Sequence, residues 1–572
     1  MLILKKKVAN AIAAAMAGKY PAATVSAEEI ADMLEYPPDS AMGDLAFPCF
    51  KLSRALRAAP PAIAATLADG VACEEIARVE VAGGYLNFFA DRTAFALRVV
   101  KAVAEEGDTY GSPRCGEGKT VVLDYSSPNV AKPFHIGHLG TTVIGHSLKL
   151  LHEFAGYRCI GINHLGDWGT QFGKLIVAYR KWGSREEVEA GEIDELVRLY
   201  VRFHAEAEQD ESLADQARAE FAKLEAHDEE NIALWKWFIE ISLREYQKTY
   251  GMLGISFDSY NGESFYTDKM PRQIEVMREK NILTLDDGAT VVNLDEYGMP
   301  VCLILKRDGS TLYPTRDIAA AVYRRETYDF DKCIYVTSAG QSLHFAQWFK
   351  VIELMGYDWA DRLVHVPYGT VSINGAKLAT RTGNVVLLKD LFAQAIEKAR
   401  AITEEKNPNL ENLDEVAESV GVGAIIFHYL MNNRMRDINF ILEDALSFDG
   451  NTGPYAQYTY ARTASILAKA NCKGRMSDYE LYNFNDAEVG LTKTLAAFPE
   501  AVKNALADYE PSVITRYILD LCAAFNRFYH DCQIVTCPEE AVREARVAMT
   551  AATHTVLGRA LSLICMKKTE KI

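Results

Sequence analysis

The hydrophobic pattern after residue 118 predicts a strand, a helix and a second strand. The run KTVVLDYSSPN is short, apolar and β-rich, which is typical of a buried strand. The next stretch ends at Gly156, a suitable residue just beyond a helix, and has apolar residues at helical spacing: Leu139, Val143, Ile144, Leu148 and Leu151. The run YRCIGINHLG predicts the second strand. This βαβ order indicates a parallel sheet.

The pattern changes several times along the rest of the chain. Residues 1–112 mix helical periods with VEVAGGYLNFFA, an alternating segment that predicts a strand entered through a Gly-Gly turn. Residues 185–250 predict long helices, and residues 255–390 return to a mixed pattern of helices and strands. Beyond residue 395 the pattern is almost purely helical, with one apolar stripe formed by Ile514, Tyr517, Ile518, Leu521, Phe525 and Phe528.

These patterns predict a multidomain α/β protein, because 572 residues are too many for one hydrophobic core. We expect an α+β N-terminal domain in residues 1–112. A Rossmann-like parallel-sheet domain is expected in residues 113–392, with a helical insertion at about 185–250. Residues 393–572 are expected to form an all-α C-terminal bundle.

Composition and charge exclude few functions. The formal charge of −17 at first argues against a nucleic-acid partner. Residues 185–230, however, contain 16 acidic and 5 basic residues, a balance of −11, so the remainder is only mildly acidic. The eleven cysteines form no CxxC pair, which favours reduced thiols over a metal site. No apolar run reaches the ~18 residues of a membrane span, and the N-terminus lacks the order of a signal peptide, so we expect a cytoplasmic protein.

The segment SSPNVAKPFHIGHLG, residues 126–140, is the strongest candidate for chemistry. His135 and His138 lie where the first strand gives way to the helix, and ligands of parallel sheets bind beyond the carboxyl ends of strands. A helix N-terminus attracts anions, imidazoles donate hydrogen bonds to phosphate oxygens, and Gly137 lets a nucleotide approach the backbone. We therefore favour a phosphate clamp. A metal pair, which usually has a spacing of four and a nearby acid, and two structural histidines are the alternatives.

The histidine motif and its surroundings resemble the arginyl-tRNA synthetases, a family of class I aminoacyl-tRNA synthetases. The letters H-I-G-H resemble the class signature, and further stretches follow in the family's order: INHLGDWGTQFGKL, GESFYTD, DGSTLYPTRDIAAA, AGQSLHFAQWF and FDGNTGPYAQYTYAR. The resemblance implies an enzyme that activates L-arginine with ATP and Mg²⁺ to arginyl-adenylate, releasing pyrophosphate. It then transfers arginine to the 3′ end of arginine tRNA and releases AMP. No protein-bound metal is implied.

The resemblance also implies roles for individual residues. Those implied to be catalytic are Lys132, His135, Gly137, His138, Lys377 and Arg381. Residues 377–381 match the lysine-rich signature loop of the class, but Thr380 replaces its second lysine, and Lys132 is expected to compensate. The residues implied to bind arginine are Asp124, Ser127, Asn129, Glu263, Tyr313, Asp317 and Gln341. Among them Glu263 and Asp317 would pair with the guanidinium, whose planar fork of donors matches carboxylates.

The C-terminal part resembles the family's anticodon-binding domain, and the residues implied to contact tRNA are Tyr455, Gln457, Tyr458 and Arg462. Such side chains can stack on or hydrogen-bond splayed bases. The N-terminal domain is implied to touch the tRNA elbow, and we expect a monomer. Two alternatives stay open. One is a synthetase-like enzyme that activates another amino acid or makes an adenylate without tRNA, and the other is a catalytically silent RNA-binding paralogue.

Overall fold

The computed structural model describes residues 1–21, 23–373, 375–377, 386–472, 474 and 483–572. The N-terminal part contains a three-stranded antiparallel sheet in the order β1-β3-β2, with bounds β1 Leu45–Pro48, β2 Ile76–Ala82 and β3 Tyr85–Ala90. Its helices are α1 Leu2–Lys19, α2 Ala27–Met33, α3 Ser53–Leu56 and α4 Pro60–Ala68. The alternating segment predicted as one strand is a hairpin, because Gly83, with φ of 59°, turns the chain between β2 and β3.

Helix α5 (Arg92–Glu106) leads from this sheet into the central part of the chain and packs against the C-terminal helices. Polar contacts also join the first and last parts of the chain. The Lys5 ammonium lies 3.4 Å from the Glu500 carboxylate, and Lys493 pairs with Asp44. The N-terminal part therefore packs on the C-terminal bundle.

The central sheet is parallel, as the sequence pattern predicts. Its strand order is β10-β9-β4-β5, with bounds β4 Thr120–Asp124, β5 Arg158–Ile162, β9 Lys332–Ser338 and β10 Leu363–Tyr368. Helix α6 (Leu139–Phe154) connects β4 to β5 and ends just before Gly156, which has φ of 91°. The chain continues from β4 to β5 on one side, while β9 pairs with β4 on the other. This reversal opens a crevice beyond the carboxyl ends of β4 and β9.

Four helices follow β5: α7 Thr170–Trp182, α8 Arg185–Ala207, α9 Ser212–Glu225 and α10 Glu229–Leu253. Next come α11 (Met270–Glu279) and an antiparallel meander of β6 Leu283–Asp286, β7 Ala289–Val292 and β8 Cys302–Leu305. Helices α12 (Tyr313–Tyr328) and α13 (Ser342–Leu354) flank β9. Trp348 on α13 is fully buried in the core that these elements share with the sheet.

The C-terminal part is helical, with bounds α14 Leu388–Lys406, α15 Leu413–Leu430, α16 Leu442–Ala445, α17 Gly453–Lys469, α18 Asp486–Asp508, α19 Ser512–Asp531 and α20 Glu540–Leu563. The apolar stripe predicted on α19 is buried throughout. A small sheet in the order β12-β11-β13 consists of β11 Val371–Ile373, β12 Ala376–Lys377 and β13 Ile438–Phe440. The purely helical pattern missed β13, because three residues are too few to show a strand period. No helix within the described ranges is long and apolar enough to cross a membrane.

Candidate active site

A cleft of about 690 Å³ lies beyond the carboxyl ends of β4 and β9. It is lined by all the residues that the family resemblance implies to bind arginine: Asp124, Ser127, Asn129, Glu263, Tyr313, Asp317 and Gln341. These residues come from four separate stretches of sequence and meet because the parallel sheet brings its strand ends to one edge. His138 also lines the cleft, whereas His135 and Lys132 are absent from its lining.

The loop that follows β4 has a strained backbone. Ser126, Ser127 and Ala131 have φ of 72°, 48° and 56°, a left-handed conformation that residues with a Cβ seldom adopt. Hydrogen bonds hold the loop in this shape. The Ser127 hydroxyl donates to the Asp124 carboxylate at 2.8 Å, and the Ser127 N–H donates to the Asn163 side-chain oxygen at 3.1 Å. Strain of this kind persists only where the surroundings fix it, and it concentrates at functional sites.

One face of α10 holds the same loop from the side of the helical insertion. Tyr246 places its hydroxyl 2.8 Å from the carbonyl oxygens of Asn129 and Lys132. Ser242 accepts a hydrogen bond from the Ala131 N–H at 3.0 Å, and the hydroxyl of Tyr250 lies 2.7 Å from that of Ser126. Because Ser242, Tyr246 and Tyr250 are four residues apart, they share a helix face. The sequence analysis assigned no role to them, although this spacing of polar groups is visible in the sequence.

The two signature histidines cap the backbone of their own motif. Residues Ile136–His138 form a 3-10 turn before α6, and the two histidine rings lie beside each other with their centres 4.0 Å apart. The Nδ1 atom of His135 accepts the Gly137 N–H at 3.0 Å, and Nδ1 of His138 accepts the His135 N–H at 3.2 Å. Two of the backbone donors expected to meet a phosphate are therefore already used. An imidazole that accepts at Nδ1 carries its proton on Nε2, which leaves an Nε2–H donor on each ring.

Burial keeps both rings neutral. It lowers the pKa of His135, and it lowers that of His138 to about 3, with smaller contributions from the neighbouring His135 and Lys132. The segment just after the signature loop holds the motif in place, because the Ile136 N–H donates to the Val386 carbonyl at 3.1 Å. The histidines can thus donate hydrogen bonds without changing charge near neutral pH.

Asp124 forms a buried ion pair that the sequence analysis missed. Nη2 of Arg324 lies 2.8 Å from the Asp124 carboxylate, and only 1% of the arginine side chain is exposed. Nε and Nη1 of Arg324 are buried and have no hydrogen-bond partner within the described part of the chain. The sequence contains a signal for this pair. Tyr313, Asp317 and Arg324 all line the cleft at helical spacing. The face of α12 that carries the two implied arginine-binding residues therefore also carries a cation.

The two carboxylates expected to bind a guanidinium both have partners from this chain. Glu263 lies 2.6 Å from Nη1 of Arg316, and both side chains are largely buried. Burial raises the pKa of Glu263 to about 7, although Arg316 opposes the rise. Asp317 lies 2.6 Å from Nε2 of His344 at the start of α13. The sequence analysis missed both partners.

Close packing between two loops positions Asn129 and Glu263. The backbone of Gly166 approaches Asn129 so closely that a Cβ at Gly166 would lie 2.2 Å from the Asn129 side-chain oxygen. One residue later, the Asp167 carboxylate accepts the N–H and hydroxyl of Ser264 at 2.8 and 2.6 Å, which fixes the backbone beside Glu263. The segment NHLGDWGTQFG, for which the sequence alone indicates no chemistry, thus orients two cleft residues.

The residues expected to handle phosphate are not all at the cleft. Lys132 is half-buried in a small cavity beside Gln171 and Tyr200, and burial together with Lys174 lowers its pKa. The backbone of Lys377 belongs to β12, and Arg381 and Thr380 lie outside the described residues. Within the described ranges, no group of three or more His, Cys, Asp or Glu side chains is arranged to hold a metal ion. All eleven cysteines are free thiols.

The residues expected to contact tRNA lie on α17. Tyr458 is 38% exposed, and the Arg462 guanidinium lies 5.0 Å from its ring centre and 5.1 Å from that of Tyr529. Tyr455 is half-buried and accepts a hydrogen bond from Asn526 at 2.9 Å.

The position of Gln457 differs from the sequence expectation that it contacts tRNA. It is fully buried, and its side-chain amide donates to the Ser419 and Lys567 carbonyls at 3.1 and 3.0 Å. In this structure it is a core residue that joins three helical segments, so it has no surface to offer a base.

Comparisons with known proteins agree along the whole chain. A family model described as tRNA synthetases class I (R), catalytic domain, matches residues 99–442. Models described as arginyl tRNA synthetase N terminal domain and DALR anticodon binding domain match residues 2–90 and 456–572.

Related sequences point to the same family, and a solved structure shows the same fold. The chain is 50% identical to an arginine–tRNA ligase of Alkaliphilus metalliredigens, over 96% of this chain and 97% of that protein. It is 52% identical to one of Clostridium perfringens, over 95% and 97%. The fold resembles arginyl-tRNA synthetase of Thermus thermophilus, with a TM-score of 0.82, 24% identity and full coverage of both chains. The chain belongs to the arginyl-tRNA synthetase family of class I.

Proposed function

We propose that this chain is an arginine–tRNA ligase that works in two steps at the described cleft. A carboxylate oxygen of L-arginine attacks the α-phosphorus of ATP, which forms arginyl-adenylate and releases pyrophosphate. A ribose hydroxyl of the terminal tRNA adenosine then attacks the activated carbonyl, which forms the ester and releases AMP. The observation that carries this proposal is one cleft that combines the neutral His138 of the histidine motif with buried carboxylates suited to a guanidinium. The family assignment supports it independently.

The arginine end of the cleft is assigned by charge. Glu263 and Asp317 would accept the guanidinium donors, with the Tyr313 hydroxyl beside them, because a planar fork of N–H groups matches two carboxylates. Asp124, with Arg324 behind it, faces the α-amino end. Lysine and citrulline would leave polar groups unpaired here, which supports selection of arginine without an editing step.

This α-amino end carries further residues of the proposed site. Asn129, Gln341 and Ser127 complete it, the last through its hydrogen bond to Asp124.

The phosphate end is assigned to the histidine motif. ATP would enter with its Mg²⁺ as part of the substrate, and Nε2–H groups of His135 and His138 would donate to phosphate oxygens beside Gly137. Chemistry of this kind depends on positioning and charge stabilisation rather than on a protein nucleophile. Lys377 and Arg381 would close over the triphosphate, and Lys132 would supply the charge that Thr380 lacks.

The tRNA is proposed to bind along the helical C-terminal part. Tyr458 and Arg462 offer an exposed ring and a cation, to which the structure adds Tyr529, and Tyr455 lies beside them. Rings and guanidinium groups of this kind stack on splayed bases. The N-terminal domain would touch the tRNA elbow. We propose a monomer of 63.6 kDa acting in the cytoplasm, where tRNA is charged, and light scattering on the purified chain tests the monomer.

The test of the function is ATP–pyrophosphate exchange with each of the twenty amino acids, with and without arginine tRNA. The expected result is exchange with arginine and with none of the other nineteen amino acids. Exchange with another amino acid would mean that the carboxylates select a different side chain. If no amino acid supports exchange while tRNA still binds, the silent RNA-binding paralogue becomes the correct reading.

Lys132→Ala tests the proposed compensation for Thr380. The expected loss in the exchange rate is about two orders of magnitude, equivalent to about 3 kcal/mol of lost charge stabilisation. Thr380→Lys in the same chain should restore part of the rate. Lys101→Ala, which removes an exposed lysine on α5, is the matched control and should have no effect. A loss of tenfold or less in Lys132→Ala would contradict the compensation.

A further inference from the structure

Arg316 carries a guanidinium, the same group as the proposed substrate, and it pairs with Glu263, which is proposed to bind that substrate. Its Nη1 atom lies 2.6 Å from the Glu263 carboxylate, and the exposed fractions of the two side chains are 13% and 15%. Both residues adjoin the cleft, since Glu263 lines it and Arg316 lies between Tyr313 and Asp317 at the start of α12. A substrate guanidinium that binds Glu263 therefore meets an occupied carboxylate.

The contact made by Arg316 is incomplete. One hydrogen bond joins it to Glu263, and its Nε atom is buried without a partner within the described residues. A carboxylate can accept two parallel hydrogen bonds from a guanidinium. A free arginine side chain that approaches along the cleft can offer this two-bonded geometry to Glu263, and Asp317 lines the same cleft. The single hydrogen bond from Arg316 is thus enough to hold Glu263 in place, but a substrate guanidinium that forms two bonds can replace it.

An exposed aromatic ring, that of Tyr313, lies beside the Arg316 guanidinium. The guanidinium lies 5.6 Å from the centre of the Tyr313 ring, within the range of a cation–π contact, and Tyr313 is 64% exposed. The ring lies beside the guanidinium while Arg316 is paired with Glu263, so it offers a contact that Arg316 can keep when it leaves the carboxylate. Arg324, the other internal arginine of the cleft, has no such exit because it is 99% buried against Asp124.

We propose that Arg316 is an internal competitor for the guanidinium site, which substrate arginine must displace from Glu263 before it binds productively. Arg316 is then an affinity-determining residue, because it weakens the binding of free arginine while holding the empty pocket together. This inference rests on the proposed function, since it takes Glu263 as a ligand of the substrate guanidinium.

The experiment measures arginine binding to the full chain by isothermal titration calorimetry, in the presence of arginine tRNA and a non-hydrolysable ATP analogue. It is run at pH 8.5, because burial, with a smaller contribution from the nearby Asp317 and Asp167, raises the pKa of Glu263 to about 7. Arg316→Gln removes the competing cation and should bind arginine about tenfold more tightly than the unchanged chain. Arg316→Lys, which keeps a charge but loses the fork, should lie between them.

A smaller probe isolates the guanidinium site. Methylguanidine lacks the α-amino and carboxylate groups, so its competition against arginine reports only on the carboxylates that meet a guanidinium. Its inhibition constant should fall by the same factor in Arg316→Gln. The matched control is Arg325→Gln on the same helix, which removes an arginine paired with Asp329 away from the cleft and should change neither affinity.

The outcomes separate the two proposals. If the unchanged chain binds no arginine, the proposed function fails and the competitor with it. If it binds arginine but Arg316→Gln binds equally or more weakly, with its thermal unfolding unchanged, Arg316 instead holds Glu263 in position and the competitor is refuted. If Arg316→Gln unfolds, Arg316→Lys decides between the same two results.

Discussion

Arginine binding should weaken as the pH falls below about 7. Glu263 has 15% of its side chain exposed, and burial raises its pKa to about 7 against the opposing effect of Arg316. The carboxylates of Asp317 and Asp167 add to the rise. A protonated Glu263 has lost the charge that attracts a guanidinium. The fraction of protein that is ready to bind arginine therefore follows the ionised fraction of this carboxyl group.

The sign and size of the effect follow from the raised pKa. Above about pH 8 Glu263 is ionised and the arginine KM should be constant. The KM should be about twofold higher at pH 7 and about tenfold higher at pH 6, because each pH unit below the pKa lowers the ionised fraction about tenfold. The histidine motif should add nothing in this range, since burial lowers the pKa of His135 and lowers that of His138 to about 3.

The assay is ATP–pyrophosphate exchange with saturating ATP and arginine tRNA, with the arginine KM measured from pH 6 to pH 8.5 at constant ionic strength. Glu263→Gln is the control, because it cannot ionise and should show a high KM that is independent of pH. An arginine KM that stays constant between pH 8 and pH 6 in the unchanged chain would refute the reasoning.

Three further variants test the positioning contacts. Gly166→Ala places a methyl group 2.2 Å from the Asn129 side-chain oxygen and 3.2 Å from the Asn129 Cα, so Asn129 must shift. The change should lower kcat/KM for arginine in the exchange assay about 100-fold. Arg324→Met leaves the buried Asp124 without its cation and should destabilise the chain by about 3–5 kcal/mol, seen as a lower melting temperature that Asp124→Asn partly restores. Tyr246→Phe strips two loop carbonyls of their partner, which costs about 1–3 kcal/mol, and should slow exchange about tenfold without changing tRNA binding.

The arrangement of helices and strands follows closely from the sequence pattern. Strands β4 and β5 and helix α6 form where apolar runs predict them, and the βαβ order by itself requires a parallel sheet. The order of the sheet then brings all seven implied arginine-binding residues to one edge. The predictions of strands, helix and sheet direction succeed because they depend on period and chain order, which a single sequence displays directly. The seven residues themselves were implied only by the family resemblance.

The detailed shape of the site could not be predicted in the same way. Ser126, Ser127 and Ala131 adopt positive φ although neither serine nor alanine prefers it, so no local residue preference marks the strained loop. The strain is imposed by partners far along the chain, such as Tyr250 on Ser126. The burial of Gln457, which was expected to contact tRNA, could not be predicted for a different reason. An aromatic and polar stripe on a helix looks the same in sequence whether it faces solvent or the core.

Two internal arginines in a cleft for a cationic substrate have a common physical cause. A carboxylate removed from water without a partner would take up a proton rather than keep its charge, so each buried acid needs a cation in the empty protein. Arg324 fills this need for Asp124 as a fixed partner, because only 1% of its side chain is exposed. Two of its nitrogen donors have no hydrogen-bond partner among the residues that the structure describes. Arg316 fills it for Glu263 through a single hydrogen bond beside an exposed ring. The difference in exposure therefore separates a fixed counterion, which shapes the site, from an exchangeable one, whose place the substrate guanidinium can take.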